Sequence, residues 1–239
     1  MVIDHIGYYF YDLFSLEQLY ILRSIGRLAM PIFTFLIING FFKTKDLRRY
    51  ILRLGRLAIF TQVIISILGY INIRYVSDYV TNIYFNFNIV FSFALSLLFI
   101  NGINNILMKK CNNIKDIIKN LGILIIVTVI YYLFEFNGVF KLDYGFMVLV
   151  LSTIFYLLYK IKEKNVNIYI IILIASYIIY TAFSVSIRSI NIMIILVLPL
   201  ILLYNEDIKS KNLRLQKLFY SIFLIQHTLL YIGALIYTI

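Results

Sequence analysis

The chain has 239 residues, a net charge of +11, 62% hydrophobic residues and 14% charged ones, where soluble domains run at about 45–50% apolar and about 25% charged. That balance excludes an ordinary soluble domain and predicts one integral-membrane domain over residues 1–239. Runs such as 121–133 and 168–179 are almost unbroken aliphatic stretches, unlike the alternating segments of an outer-membrane barrel, so the expected fold class is all-α, a polytopic helical bundle.

In chain order, the apolar runs place helices at 2–14, 20–41, 46–70, 87–108, 115–135, 143–161, 167–186, 190–204 and 214–238, about nine transmembrane helices with a short first one. The basic residues fall in four clusters, at 43–56, 109–119, 160–164 and 209–217, at every second connection. The intervening connections carry only Arg23, Arg74, Lys141 and Arg188. This alternation predicts a multi-pass protein of the bacterial cytoplasmic membrane, N-terminus cytoplasmic and C-terminus outside. Because the positive charge follows topology and not one exposed face, nucleic acid is not an expected partner. Cys111 is the single cysteine and the two histidines have no acidic cluster near them, so neither a disulfide framework nor a metal centre is expected. Met1 is followed by no basic segment and cleavage site of a secretory signal, so it is expected to belong to the mature chain.

Most polar residues have ordinary readings: lysines at helix ends snorkel to headgroups, and tyrosines near span ends are interfacial anchors. A smaller set falls at membrane depth, namely Asp4, His5, Arg27, Gln62, Gln226 and His227. A charge there costs about 2.5–3.5 kcal/mol on insertion scales, so such groups face the bundle interior and mark either a functional site or a structural ion pair. Asp4 and His5 are consecutive, so on a helix they diverge by about 100° and need separate partners. Arg27 is the expected mate of Asp4, which leaves His5 for chemistry. Gly26 admits close backbone approach, and Pro31 has no amide hydrogen for the carbonyl of Arg27, so a polar kink is expected there. Asn88, Asp143 and Tyr144 stand at outer helix starts, where they either line an entrance or cap helices.

These residues carry a family resemblance. The stretch Met1–Gly7 with Asp4-His5, the stretch from Ile25-Gly26-Arg27 through Pro31 to Asn39-Gly40-Phe41, and Arg49-Tyr50 with Arg53-Leu54 resemble the TraX family, whose namesake N-acetylates pilin during conjugation. Asn86-Phe87-Asn88, Asp143-Tyr144-Gly145, and Phe219-Tyr220 with His227 resemble its later blocks. The first helix is shorter than the family pattern, and Ile225 stands where the family carries a proline, which ranks His227 behind His5.

The resemblance implies a membrane-embedded acetyltransferase with acetyl-CoA as co-substrate and no metal. Its acceptor would be an amine or hydroxyl, on a protein or peptide N-terminus or a cell-envelope glycan. Removing the nucleophile's proton suits an imidazole, so His5 is the expected general base, with His227 second. Arg27 is suited to stabilising the oxyanion while Asp4 orients it. Coenzyme A carries several phosphates, and Arg49, Arg53 and Arg56 recur at i, i+4 and i+7 on one face of the third helix. They and Asn39 are the expected donor-binding residues, while Asn88, Asp143 and Tyr144 are the expected acceptor-binding ones. A proton- or anion-coupled transporter using the same buried groups is the competing reading.

Overall fold

The computed structural model describes residues 2–75, 86–108, 113–136, 141–162 and 197–204, with scattered positions between 167 and 175 and between 221 and 236. Helix α1 is Val2–Tyr9, followed by a 3-10 turn at Tyr11–Leu13 and an extended Phe14. The expected first helix, 2–14, is therefore broken, and the eight residues of α1 rise only about 12 Å, too little to cross a bilayer.

Helix α2, Leu16–Arg27, starts four residues earlier than apolar periodicity suggested, because Ser15 and Gln18 form a reciprocal cap. The Gln18 amide donates to Ser15 Oγ at 3.3 Å and the Ser15 amide to Gln18 Oε1 at 2.9 Å. The helix ends where Pro31 withholds a hydrogen from the Arg27 carbonyl: the Leu28 amide tightens onto the Ile25 carbonyl at 3.2 Å, and α3 begins as Ala29–Lys43. The expected 20–41 helix is thus two pieces joined at Leu28.

Helices α4 (Leu47–Tyr75), α5 (Ile89–Leu107), α6 (Ile114–Phe136) and α7 (Gly145–Lys162) lie close to expectation. Five segments, Leu16–Lys43, Leu47–Ile67, Ile89–Leu107, Ile114–Phe136 and Gly145–Lys162, are long and apolar enough to span a membrane. The expected helices 167–186 and 214–238 lie largely outside the described residues, and of 190–204 the described helix is α8, Val197–Leu202. The described architecture is all-helical apart from one two-residue parallel pairing, β1 (Asn86–Phe87) with β2 (Lys141–Leu142).

The chain forms two compact units. One comprises Met1–Phe33, Ile64–Thr81 and Asn165–Ile239, the other Thr34–Val63 and Asn82–Lys164. In the second, α5, α6 and α7 enclose a core of Val127, Tyr131, Leu142 and Leu149, with Phe87, Phe91, Phe134 and Phe146 packed on it. Aromatic edges meet ring faces there, as Phe87 does with both Phe91 and Phe134 at 5.1 Å. In the first unit the described packing centres on α1 against α2, and Gly233 lies against Phe10.

Candidate functional site

Two glycines let α1 and α2 lie antiparallel at close range. A Cβ built on Gly7 would lie 3.1 Å from Leu22 Cβ, and one built on Gly26 would collide with Asp4, 2.6 Å from its Cγ. Asp4 is therefore seated on the bare backbone of Gly26 and buried. The close approach expected of Gly26 is what the structure uses.

The cation paired with Asp4 is Arg23 and not the expected Arg27. Arg23 Nη1 lies 2.9 Å from Asp4 Oδ1 and also donates to the Asp4 carbonyl oxygen at 3.4 Å. Its guanidinium carbon stands 5.5 Å from the centre of the Tyr8 ring. The pairing changes because the early start of α2 carries Arg23 two turns into the helix, level with Asp4, instead of leaving it in a connection. The 2.9 Å contact is an ion pair without hydrogen-bond alignment, so Asp4 Oδ1 is buried and charge-paired yet carries no hydrogen bond. Ser24 Oγ is also buried without one.

Arg27 is half-buried at the end of α2, one turn after Arg23, next to the break at Leu28. His5 is half-buried, with its ring centre 6.3 Å from that of Tyr9. Asp4 and His5 thus stand on α1 and Arg27 on α2, where the structure joins Asp4 to Arg23, the member that sequence reasoning missed. The signal that could have found it is the Ser15-x-x-Gln18 cap. His227 lies outside the described residues, and its neighbour Gln226 is buried.

The expected donor-binding residues differ in exposure. Arg49, Arg53 and Arg56 share one face of α4, and that face is exposed, continuing into exposed Leu52, Ile59, Phe60 and Val63. Arg49, 83% exposed, pairs with Asp46 at 2.9 Å, Arg53 lies 5.9 Å from the centre of the Tyr50 ring, and Arg56 Nε donates to the Leu52 carbonyl at 3.3 Å. Asn39 is instead only 4% exposed on α3, its Oδ1 without a hydrogen bond.

Of the expected acceptor residues, Asn88 is engaged throughout. Its Nδ2 donates to the Ala58 carbonyl at 2.9 Å and to Gln62 Oε1 at 3.1 Å, and its Oδ1 accepts from the Val90 amide at 3.1 Å as the N-cap of α5. Gln62, expected at membrane depth, is thereby paired. Asp143 and Tyr144 stand on the turn into α7, beside β1: the Asp143 amide donates to the Phe87 carbonyl at 3.0 Å, and Ser92 Oγ donates to the Asp143 carbonyl at 3.0 Å. Tyr144 holds φ at 60°, a left-handed conformation that side chains disfavour, and Gly145 follows at 42°. Glu135 fills the space beside Gly145 and accepts from the Phe146 amide at 3.5 Å. The two later resembling blocks, at 86–88 and 143–145, thus meet in space.

Among the described residues no cluster of three histidine, cysteine or acidic side chains could hold a metal ion. Five apolar spans, with a charged helix pair buried at their start, define a multi-spanning helical membrane protein. The family model described as TraX protein matches residues 1–232, so the chain belongs to the TraX family. No curated protein and no solved structure matches it.

Proposed function

We propose that the protein is a membrane-embedded acetyltransferase that carries an acetyl group from cytoplasmic acetyl-CoA to an amine or hydroxyl acceptor, a protein or peptide N-terminus or an envelope glycan. The observation that carries the reading is the packing of Asp4, the neighbour of His5 on α1, onto Gly26 and Arg23 of α2, one turn before the break in that helix. Buried charge at such a place is costly, and its retention beside an imidazole and an interrupted helix suits a chemical site better than a packing seam.

In this mechanism a neutral His5 nitrogen takes the proton of the acceptor N–H or O–H as its lone pair attacks the thioester carbonyl. A bond forms between acceptor and carbonyl carbon, and the carbonyl electron pair moves onto oxygen. Arg27 stabilises that oxyanion. The oxyanion collapses, the C–S bond breaks, and the imidazolium returns the proton to the leaving thiolate. Acetylated acceptor and coenzyme A are released. Asp4 keeps the neighbouring cationic groups oriented.

Donor phosphates would meet the basic face of Arg49, Arg53 and Arg56, and Asp143 and Tyr144 are the candidates for contact with the acceptor. The location that fits is the bacterial cytoplasmic membrane, with the four basic connections inside and the C-terminus outside. A cysteine at position 45 or 210 should then be shielded from an impermeant outside thiol reagent, and one at 138 should react.

The test of donor use is thermal. A ligand that binds only the folded state stabilises it by about 2.7 kcal/mol at one hundred times its Kd, so acetyl-CoA should raise the melting temperature of the detergent-purified protein. Arg53→Glu should weaken that binding about tenfold, or about 1.4 kcal/mol. No shift at millimolar acetyl-CoA would favour the proton- or anion-coupled transporter, which the helix break at Leu28 also suits.

A further inference from the structure

One guanidinium touches α1 at three points: the carboxylate of Asp4 at 2.9 Å, the carbonyl oxygen of the same residue at 3.4 Å, and the ring of Tyr8 at 5.5 Å from its centre. We propose that Arg23 is the positioning residue of this site, a clamp that sets the rotation of α1 and through it the direction of the His5 imidazole. The chemical meaning of the clamp rests on the acyl-transfer reading; its geometry does not.

Three physical facts make a clamp necessary. Helix α1 has eight residues, fewer than the roughly 12–15 at which an isolated helix becomes even marginally stable, so its orientation comes from its contacts. Successive side chains on a helix diverge by about 100°, so a turn of α1 by one residue would put Asp4 where His5 belongs. And α1 meets α2 across Gly7 and Gly26, two smooth places that permit close approach but offer no ridge against rotation or sliding. Arg23 supplies what the glycines lack.

Its side chain is also the right one. One guanidinium nitrogen reaches a carboxylate and a carbonyl while the delocalised planar group lies against a tyrosine ring, and a lysine ammonium has no plane to hold in that stacked position. Arg27 lies one turn further along the same helix, and it is the arginine that the acyl-transfer reading directs to the reacting carbonyl. Two arginines one turn apart thus divide the holding of the base from the stabilising of charge.

The test uses the full-length protein with Cys111→Ser and a cysteine pair, Gly7→Cys with Leu22→Cys. A Cβ at position 7 lies 3.1 Å from Leu22 Cβ, and a few tenths of an ångström of relaxation reaches the roughly 3.5–4.5 Å that a disulfide spans. The pair should oxidise readily in the parent, slowly with Arg23→Ala, and at an intermediate rate with Arg23→Lys. In the protein without the cysteine pair, Arg23→Ala should lower kcat roughly tenfold or more while leaving KM for acetyl-CoA nearly unchanged, since the donor's contacts are kept and only the base is misdirected. Arg23→Lys should recover little of the loss.

Unchanged cross-linking in Arg23→Ala would overturn the clamp. Slowed cross-linking with unchanged kcat would overturn its link to His5, leaving a structural ion pair. If Arg23→Ala does not fold, Tyr8→Leu removes the ring under the guanidinium, together with its edge contact on Tyr9, leaves the Asp4 contacts in place, and should show the same kcat-selected loss at roughly threefold; an unchanged kcat there counts against the proposal. A parent protein that transfers no acetyl group defeats the acyl-transfer reading, and cross-linking still decides the clamp.

Discussion

Helices α1 and α2 bury polar groups in one way and helices α5, α6 and α7 in another. In the α5–α7 core the buried tyrosines and the groups beside them form hydrogen-bonded chains. Tyr131 Oη donates to the Ser92 carbonyl at 2.7 Å, so Ser96 Oγ, 2.9 Å away, donates to it in turn, and Tyr156 Oη donates to Asn104 Oδ1 at 3.0 Å. Such satisfied chains fix one arrangement of helices and leave nothing over for a ligand. On α1 and α2 the buried Asp4 Oδ1 and Ser24 Oγ carry no hydrogen bond, and the charge of Asp4 is met by a single arginine. Closed networks hold a fold, whereas buried capacity left open beside an imidazole and a helix break is what a reaction can use.

Substitutions on the two sides should separate a reacting site from a packed core. The largest effect is expected from His5→Ala, which should lower acetyl transfer by roughly 10² or more with near-normal expression, the size typical of a lost general base. Full activity in His5→Ala together with none in His227→Ala would move the base to the last helix. Next, Gly26→Val forces a side chain into the space of Asp4; overpacking of this kind costs about 2 kcal/mol, and transfer should fall along with thermal stability.

On the other side of the contrast, Asn88→Ala strips the N-cap of α5 and unpairs Gln62 and the Ala58 carbonyl. It should cost about 2 kcal/mol in denaturation while kcat of the surviving folded protein changes little. A kcat loss with unchanged stability would show that Asn88 serves the acceptor. The smallest effect belongs to Tyr144→Gly, which relieves a left-handed φ of 60° and should raise stability by about 0.5–1 kcal/mol. If Tyr144 meets the acceptor, KM for the acceptor rises in the same variant, so stability and activity move in opposite directions.

The fold was legible where a single physical signal decides it. Apolar runs bounded by charge located α4 to α7 to within a few residues, and Pro31 announced the break at Leu28 because a missing amide hydrogen is a local fact. The start of α2 was misplaced because apolar periodicity outweighed the Ser15-x-x-Gln18 cap, and the same error left Arg23 among the outer connections and gave Asp4 to Arg27. Partner choice between two arginines one turn apart depends on helix register, which no one-dimensional pattern contains. The meeting of Phe87 with Leu142 and Asp143 was hidden for a related reason: two-residue strands have no period to detect. The Arg49–Arg53–Arg56 face was readable from its spacing, but its placement on the exposed side of α4 was not, since snorkelling arginines and buried ones share a pattern.

Whether the α1–α2 pair does acyl chemistry is decided by incubating purified protein with acetyl-labelled acetyl-CoA and membranes and following the label. Loss of label from the thioester into an amide or ester, abolished by His5→Ala, is the expected result. Label that stays wholly on coenzyme A, with membranes and with envelope fractions supplied as acceptor, would contradict it.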